Sequence, residues 1–121
     1  MEQLRQLEQA QARWRSLGIH DYSFVYWVTC CWFRDHVRYV IQADTVASAV
    51  GLDSLSQLSP PQPITIDSLF SQAREILAAD GWYSLRIAYD TGRSYPTVIA
   101  ADTRVPDASW ADSVSDFVPL R

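Results

Sequence analysis

A stretch of twelve residues, Tyr22 to Phe33, limits what this chain can fold into more than any other feature. Aromatic, aliphatic and cysteine side chains occupy both its even-numbered and its odd-numbered positions. Because successive side chains of a strand point to opposite faces, both faces of such a strand would be apolar. This pattern is typical of a central strand that is covered on both sides, or covered on one side and used for binding on the other.

Two segments have the periodicity of amphipathic helices. In residues 2–17 the apolar side chains fall on one stripe, which Gly18 follows as a left-handed stop: Leu4, Leu7, Trp14 and Leu17. A second helix is expected to begin with Thr65 as its N-cap and Asp67 in its first turn, and to end at Asp80-Gly81. Its apolar residues recur at i, i+3, i+4 and i+7: Ile66, Leu69, Phe70, Ala73, Ile76 and Leu77.

The remaining segments are predicted to be strands and loops. After the first strand, strands are expected at 37–43, 45–50, 83–89, 96–101 and 113–118, with the last at a sheet edge. A turn is expected at 34–36, a hairpin loop at 90–94, and longer loops at 51–63 and 104–111. The order predicts an α+β fold, an antiparallel sheet of five to six strands with two helices packed on one face. A length of 121 residues suits a single domain, 1–121.

Charge and hydropathy exclude several classes of partner. With 14 acidic and 10 basic residues the chain carries a net charge of −4, which argues against nucleic acid as a partner. No apolar run is long enough for a membrane-spanning helix. Residues 1–7 do not have the pattern of a secretory signal, so the protein is expected outside the cytoplasm only if a signal segment precedes them, and otherwise inside it.

The sequence carries no convincing catalytic or metal-binding pattern. Cys30 and Cys31 are adjacent and would point to opposite faces of a strand, so they are expected to be packed residues; a metal site with Asp35 and His36 would require a bulge. His20 and Asp21 are adjacent, but the sequence has no nucleophile motif such as G-x-S-x-G with which they could form a catalytic group. His20 is expected in a turn, hydrogen-bonded or solvated. Three further aspartates lack the spacing of a calcium loop: Asp90, Asp102 and Asp107. We therefore expect no catalytic residue, no metal and no cofactor.

The feature with functional weight is the surplus of aromatic residues beside arginines around the first hairpin. This is the composition of a protein-binding hot spot. Strand parity predicts that Trp27 and Phe33 share the less covered face beside Arg38, whereas Tyr22, Phe24 and the even-numbered residues face the helices. The alternative is that both faces are apolar because both are covered.

Several motifs together resemble a known family. They are the N-terminal helix with Trp14, the segment Gly18 to Phe24, cysteines in the first strand, the helix start Ile66 to Phe70, and Tyr89-Asp90 followed by Tyr95-Pro96-Thr97. Over nearly the whole chain this is similar to the bacterial domain-of-unknown-function family 6174. The turn before Tyr95 has Ser94 where the family usually has glycine, and the cysteines are adjacent where the family usually separates them by one residue. The resemblance implies a small domain that often follows a secretory or lipoprotein signal.

These observations predict a non-enzymatic protein-binding module associated with the bacterial envelope, with Trp27, Phe33 and Arg38 as its binding residues. A protein partner is expected, and neither nucleic acid nor a membrane span. The alternative is a cytoplasmic protein inhibitor of the immunity or phage anti-defence type. A hydrolase with an unconventional site ranks behind both.

Overall fold

The computed structural model describes residues 2–30, 33–52, 62–78, 84–102 and 110–120. In chain order its elements are α1 (Glu2–Ser16), β1 (Tyr22–Cys30), β2 (Phe33–Gln42), β3 (Thr45–Gly51), α2 (Ile66–Ala78), β4 (Ser84–Tyr89), β5 (Pro96–Asp102) and β6 (Trp110–Pro119). The order helix, strands, helix, strands confirms the predicted α+β class.

The six strands form one antiparallel sheet in the order β3-β2-β1-β6-β5-β4. β1 and β6 pair at its centre and so join two three-stranded meanders. The prediction that the last strand lies at an edge is wrong, and this strand begins at Trp110 rather than 113. Its polar residues suggested an edge, but Ser113 and Ser115 alternate with the buried Val114 and lie on the opposite face of the sheet.

Both helices pack on one face of the sheet, as predicted. Their buried side chains join those of the strands in one core, whose largest fully buried members are Leu7, Tyr22, Phe24, Tyr39, Ile41, Ile66, Leu69, Phe70 and Ile99. Burial of these aliphatic and aromatic surfaces supplies the main driving force for folding. Neither helix in the described part of the chain is long and apolar enough to cross a membrane.

Local interactions fix the ends of the helices. Gly18 has a φ of 63°, the left-handed conformation that ends a helix. Leu17 is 42% exposed rather than buried, because α1 ends at Ser16 and the chain turns away from the core. At the start of α2, Thr65 Oγ1 accepts a hydrogen bond from Ser68 N at 3.0 Å, so Thr65 is the N-cap as predicted.

The hairpin of β1 and β2 differs from the prediction. The first strand ends at Cys30 rather than Phe33, and Cys30 is paired with Phe33 across the two strands. The predicted turn at 34–36 is therefore strand. The polar run Arg34-Asp35-His36 suggested a turn, but it belongs to β2, and the apolar run from Tyr22 to Phe33 does not mark where the chain reverses. Cys31 lies outside the described residues, as do the predicted end of α2 at Asp80-Gly81 and most of the loop at 51–63.

Candidate functional site

The sheet face opposite the helices is the candidate site, and we call it the open face. Strand register divides it into two parts. The part on β1, β2 and β3 carries large side chains: Val25, which is only 2% exposed, and Trp27, His36, Arg38, Val40 and Val50. The part on β4, β5 and β6 carries mostly small ones, and we call these the shelf: Ala88, Val98, Ala100, Ala111, Ser113 and Ser115. Val118, which is 49% exposed, lies beyond the shelf near the end of β6 and is paired with Ser23.

Trp27 is the most prominent aromatic side chain of the open face. It is 39% exposed, whereas the neighbouring Tyr26 on the opposite face is only 7% exposed. The indole stacks on the ring of His36, directly across on β2, with ring centroids 3.4 Å apart and an interplanar angle of 22°. Trp27 therefore lies on the less covered face, as strand parity predicted, and one side of its ring is held by a neighbour.

Arg38 lies beside Trp27 on the same face. Its position on β2 is paired with Val25 on β1 and with Val50 on β3, and Val50 is 56% exposed. Arg38 itself is exposed, and among the described residues it has no ion-pair partner. The combination is a free guanidinium between apolar side chains, in a chain whose net charge is −4.

Phe33 lies on β2 and not on the same strand as Trp27, and its backbone is paired with Cys30. The predicted grouping of Phe33 with Trp27 assumed that one strand runs through both residues, and the chain reverses between them instead. The side chain of Phe33 lies outside the described part of the structure. The structure therefore brings two of the three predicted binding residues, Trp27 and Arg38, to the open face.

The described residues among those considered for catalysis and metal binding lie at separate places in the fold. His20 Nδ1 lies 2.8 Å from a carboxylate oxygen of Asp44 in the β2–β3 turn, and both side chains are about half exposed or more. His20 is thus hydrogen-bonded in a turn, as predicted, and it borders a shallow cleft of about 230 Å³ with Trp14 and Asp67. Asp90 accepts hydrogen bonds from the backbone N–H groups of Gly92 and Arg93 in its own turn. Within the described ranges, no three His, Cys, Asp or Glu side chains are grouped to hold a metal.

Asp112 is a buried carboxyl that the sequence reasoning did not single out. It is 2% exposed, on the core side of β6, and Gln72 Nε2 of α2 donates a hydrogen bond to its Oδ2 at 2.6 Å. Burial raises the pKa of Asp112, while hydrogen bonds from Tyr26 and Gln72 oppose this rise. Asp112 has the same strand parity as Trp110 and Val114, both of which pack on the core. This alternation in the sequence could have predicted that Asp112 is buried.

The motifs of the family resemblance meet around Trp14. Its indole makes edge contacts with Tyr22, Tyr95 and Phe117, with ring centroids 5.5, 6.1 and 5.6 Å away. The Tyr22 hydroxyl accepts a hydrogen bond from Ile66 N at the start of α2, and burial raises the pKa of this phenol. These aromatic residues join the helices to the sheet, so their arrangement accounts for the motifs by packing.

Comparison with known proteins gives one match. A family model described as a family of unknown function (DUF6174) matches residues 6–119 of the 121-residue chain. No curated protein and no solved structure matches it.

Proposed function

Since the chain belongs to the DUF6174 family, which carries no assigned activity, we propose from its geometry that it is a non-enzymatic protein-binding module whose open face receives the partner. The observation that carries the proposal is Trp27, an exposed indole held in a stack with His36 and placed beside Arg38, which has no ion-pair partner among the described residues. Tryptophan and arginine are enriched among the residues that dominate binding energy at protein interfaces.

The physical basis is the low cost of ordering these side chains. The stack on His36 restricts the indole before a partner arrives, so less conformational entropy is lost on binding. Arg38 offers planar, bidentate hydrogen bonding to a carboxylate. Val50, also on this face, adds apolar surface that association removes from water.

We propose binding rather than catalysis because the one exposed acid–base pair considered, His20 with Asp44, has no nucleophile beside it in the described structure. The His20–Asp44 pair could act as a base, but neither residue has a serine or cysteine among its hydrogen-bond partners in the described structure.

The proposal includes a location in the bacterial envelope, because many members of the family follow a secretory or lipoprotein signal. The inhibitor alternative would use the same open face, and the identity of the partner distinguishes the two.

Photo-crosslinking in cells that naturally make the protein tests this function. A photoreactive amino acid replaces Ser113, on the open face next to Trp27. In the control it replaces Glu75, an exposed residue of α2. We expect a discrete protein adduct from position 113, identified by mass spectrometry, that is absent from position 75. The adduct should disappear when Trp27→Ala is added.

Two results would overturn the proposal. One is the absence of any protein adduct from position 113 in cells that contain the folded chain. The other is an adduct that persists undiminished in the Trp27→Ala background, because binding would then not depend on the open face.

A further inference from the structure

We infer that the segment received by the open face is an acidic amphipathic α-helix of the partner, lying along β5 and β6 between Trp27 and Arg86. This inference rests on the proposed function and names the chemistry of the partner. Its basis is the shape of the shelf and the charge of the side chains that border it.

The shelf consists of small side chains that lie between two larger ones, Trp27 on β1 and Arg86 on β4. One row of paired residues crosses the sheet from Ala88 through Val98 and Ser113 to Trp27. The row beside it begins at Arg86 on the outermost strand β4 and continues through Ala100 and Ala111. Small residues thus fill the strands between, and they allow the backbone of a partner to approach the sheet closely.

The width of the shelf matches one helix. From β4 to β1 there are three strand spacings, which amount to about 14 Å. An α-helix with its side chains is roughly 10–12 Å across. A helix along the strands would therefore contact Trp27 on one side and Arg86 on the other. A flat second sheet would fit less well, because the side chain of Trp27 is much larger than those of the neighbouring shelf residues and would keep the two sheets apart.

The charges on this face favour an acidic helix. Arg86 is exposed and, like Arg38, has no ion-pair partner in the part of the chain that the structure describes. Arg86 lies on β4 and Arg38 on β2, beyond Trp27, so the two guanidiniums lie on opposite sides of a helix that runs along β5 and β6, and carboxylates on each flank would face an arginine. Basic helices would be repelled by both arginines.

Neither of the two described helices would offer such a surface to a second copy of this chain. The described outer surface of α1 is charged and polar, as Glu2, Arg5 and Glu8 illustrate, and that of α2 includes Ser71, Arg74 and Glu75. Their apolar stripes are buried in the core. We therefore assign the helix to a different protein, in which it would cover the open face as a second layer.

Selection from a random peptide library tests the inference with the purified full chain as the target. A phage-displayed library of about 16 random residues, long enough for a four-turn helix, is enriched on the wild type. We expect the enriched peptides to be net acidic, with apolar residues at i, i+3, i+4 and i+7. Their affinity should fall about tenfold or more in Trp27→Ala and in Arg86→Ala, and less than about twofold in the control Arg13→Ala on α1.

The inference is wrong if the enriched peptides are basic, if their apolar residues alternate as in a strand, or if no enriched peptide distinguishes Trp27→Ala from the wild type. Should the cross-linking from position 113 still identify a Trp27-dependent partner, the proposed function stands and only the helical, acidic character of its segment is lost. If no adduct forms at all, the proposed function fails whatever the library yields. Circular dichroism of each variant confirms that the fold is retained.

Discussion

Ser94 has a φ of 66° in the turn between β4 and β5, a conformation in which a β-carbon is crowded at a cost of roughly 1–2 kcal/mol. Its backbone N–H donates to Asp90 O at 3.0 Å, a bond that any residue could make. The glycine that the family usually has at this position removes the β-carbon. The larger conformational freedom of glycine in the unfolded chain offsets part of the gain.

We therefore expect Ser94→Gly to raise the free energy of unfolding by up to about 1 kcal/mol, measured by urea denaturation. Ser48→Gly is the matched control, because Ser48 is an exposed strand residue of β3 outside the left-handed region. It should lose roughly 0.5–1 kcal/mol. A loss of stability in Ser94→Gly as large as that in the control would contradict this account of the turn.

Asp112 makes the stability of the fold depend on pH. Burial raises its pKa in the folded state above the value of about 3.9 in the unfolded chain, so the folded state holds the proton more tightly. Its contribution is therefore most favourable below the unfolded pKa. It decreases as pH rises from there through the folded pKa, because a charged carboxylate must then stay buried.

Asp112→Asn removes this charge and can keep the hydrogen bond from Gln72. The variant should be more stable than the wild type at pH 7, and the difference between the two should shrink toward pH 4. Glu75→Gln, at an exposed position of α2, serves as the control for removing one negative charge. Denaturation curves that give the Asp112 variant no advantage at pH 7 would show that the buried carboxylate carries no net cost.

The two residues differ in how far sequence could reveal them. Ser94 is marked by the departure from the glycine of the family, and the structure supplies the physical reason. Asp112 is marked only by its alternation with Trp110 and Val114. Its partners Tyr26 and Gln72 lie on other elements, and no local pattern could pair them.

Among the elements, α2 is the one whose identity and buried face follow most directly from periodicity. Leu69 and Phe70 are 1% and 0% exposed. Truncation of either to alanine removes buried apolar surface and leaves a cavity, so we expect each variant to lose about 2–5 kcal/mol of unfolding free energy. Ser71→Ala, on the exposed side of the same helix, should change stability by no more than about 0.5 kcal/mol. A thermal unfolding midpoint unchanged in both Leu69→Ala and Phe70→Ala would refute the packing of α2.

Strand pairing was less accessible from sequence than helix packing. The existence of the strands followed from alternation, but the central place of β6 depends on long-range pairing with β1, which alternation does not encode. The hairpin of β1 and β2 was misplaced for a related reason, since apolar residues continue on both sides of the reversal. That error assigned Phe33 to the strand of Trp27 instead of to β2, whereas Trp27 lies well inside β1 as predicted.

For the whole molecule, the main consequence of the topology is that the two helices cover only one of the two sheet faces. Both helices cover the face that includes Tyr22, Phe24 and Tyr39, and neither packs on the face of Trp27. Composition predicted an aromatic sheet, and parity predicted which aromatic residue faces outward. The shelf and the position of Arg86 beside it could not be predicted, because they require the order of all six strands.

The most direct test of the central claim is the affinity of the partner, once cross-linking has identified it, for the wild type, Trp27→Ala and Leu17→Ala. Trp27 and Leu17 have nearly the same exposure, 39% and 42%, but Leu17 follows α1 and lies off the open face. Measured by titration calorimetry, Trp27→Ala should weaken binding by about 2 kcal/mol, or roughly 30-fold, and Leu17→Ala should change it less than about twofold. Equal affinities for all three proteins would contradict the claim that the open face is the binding surface.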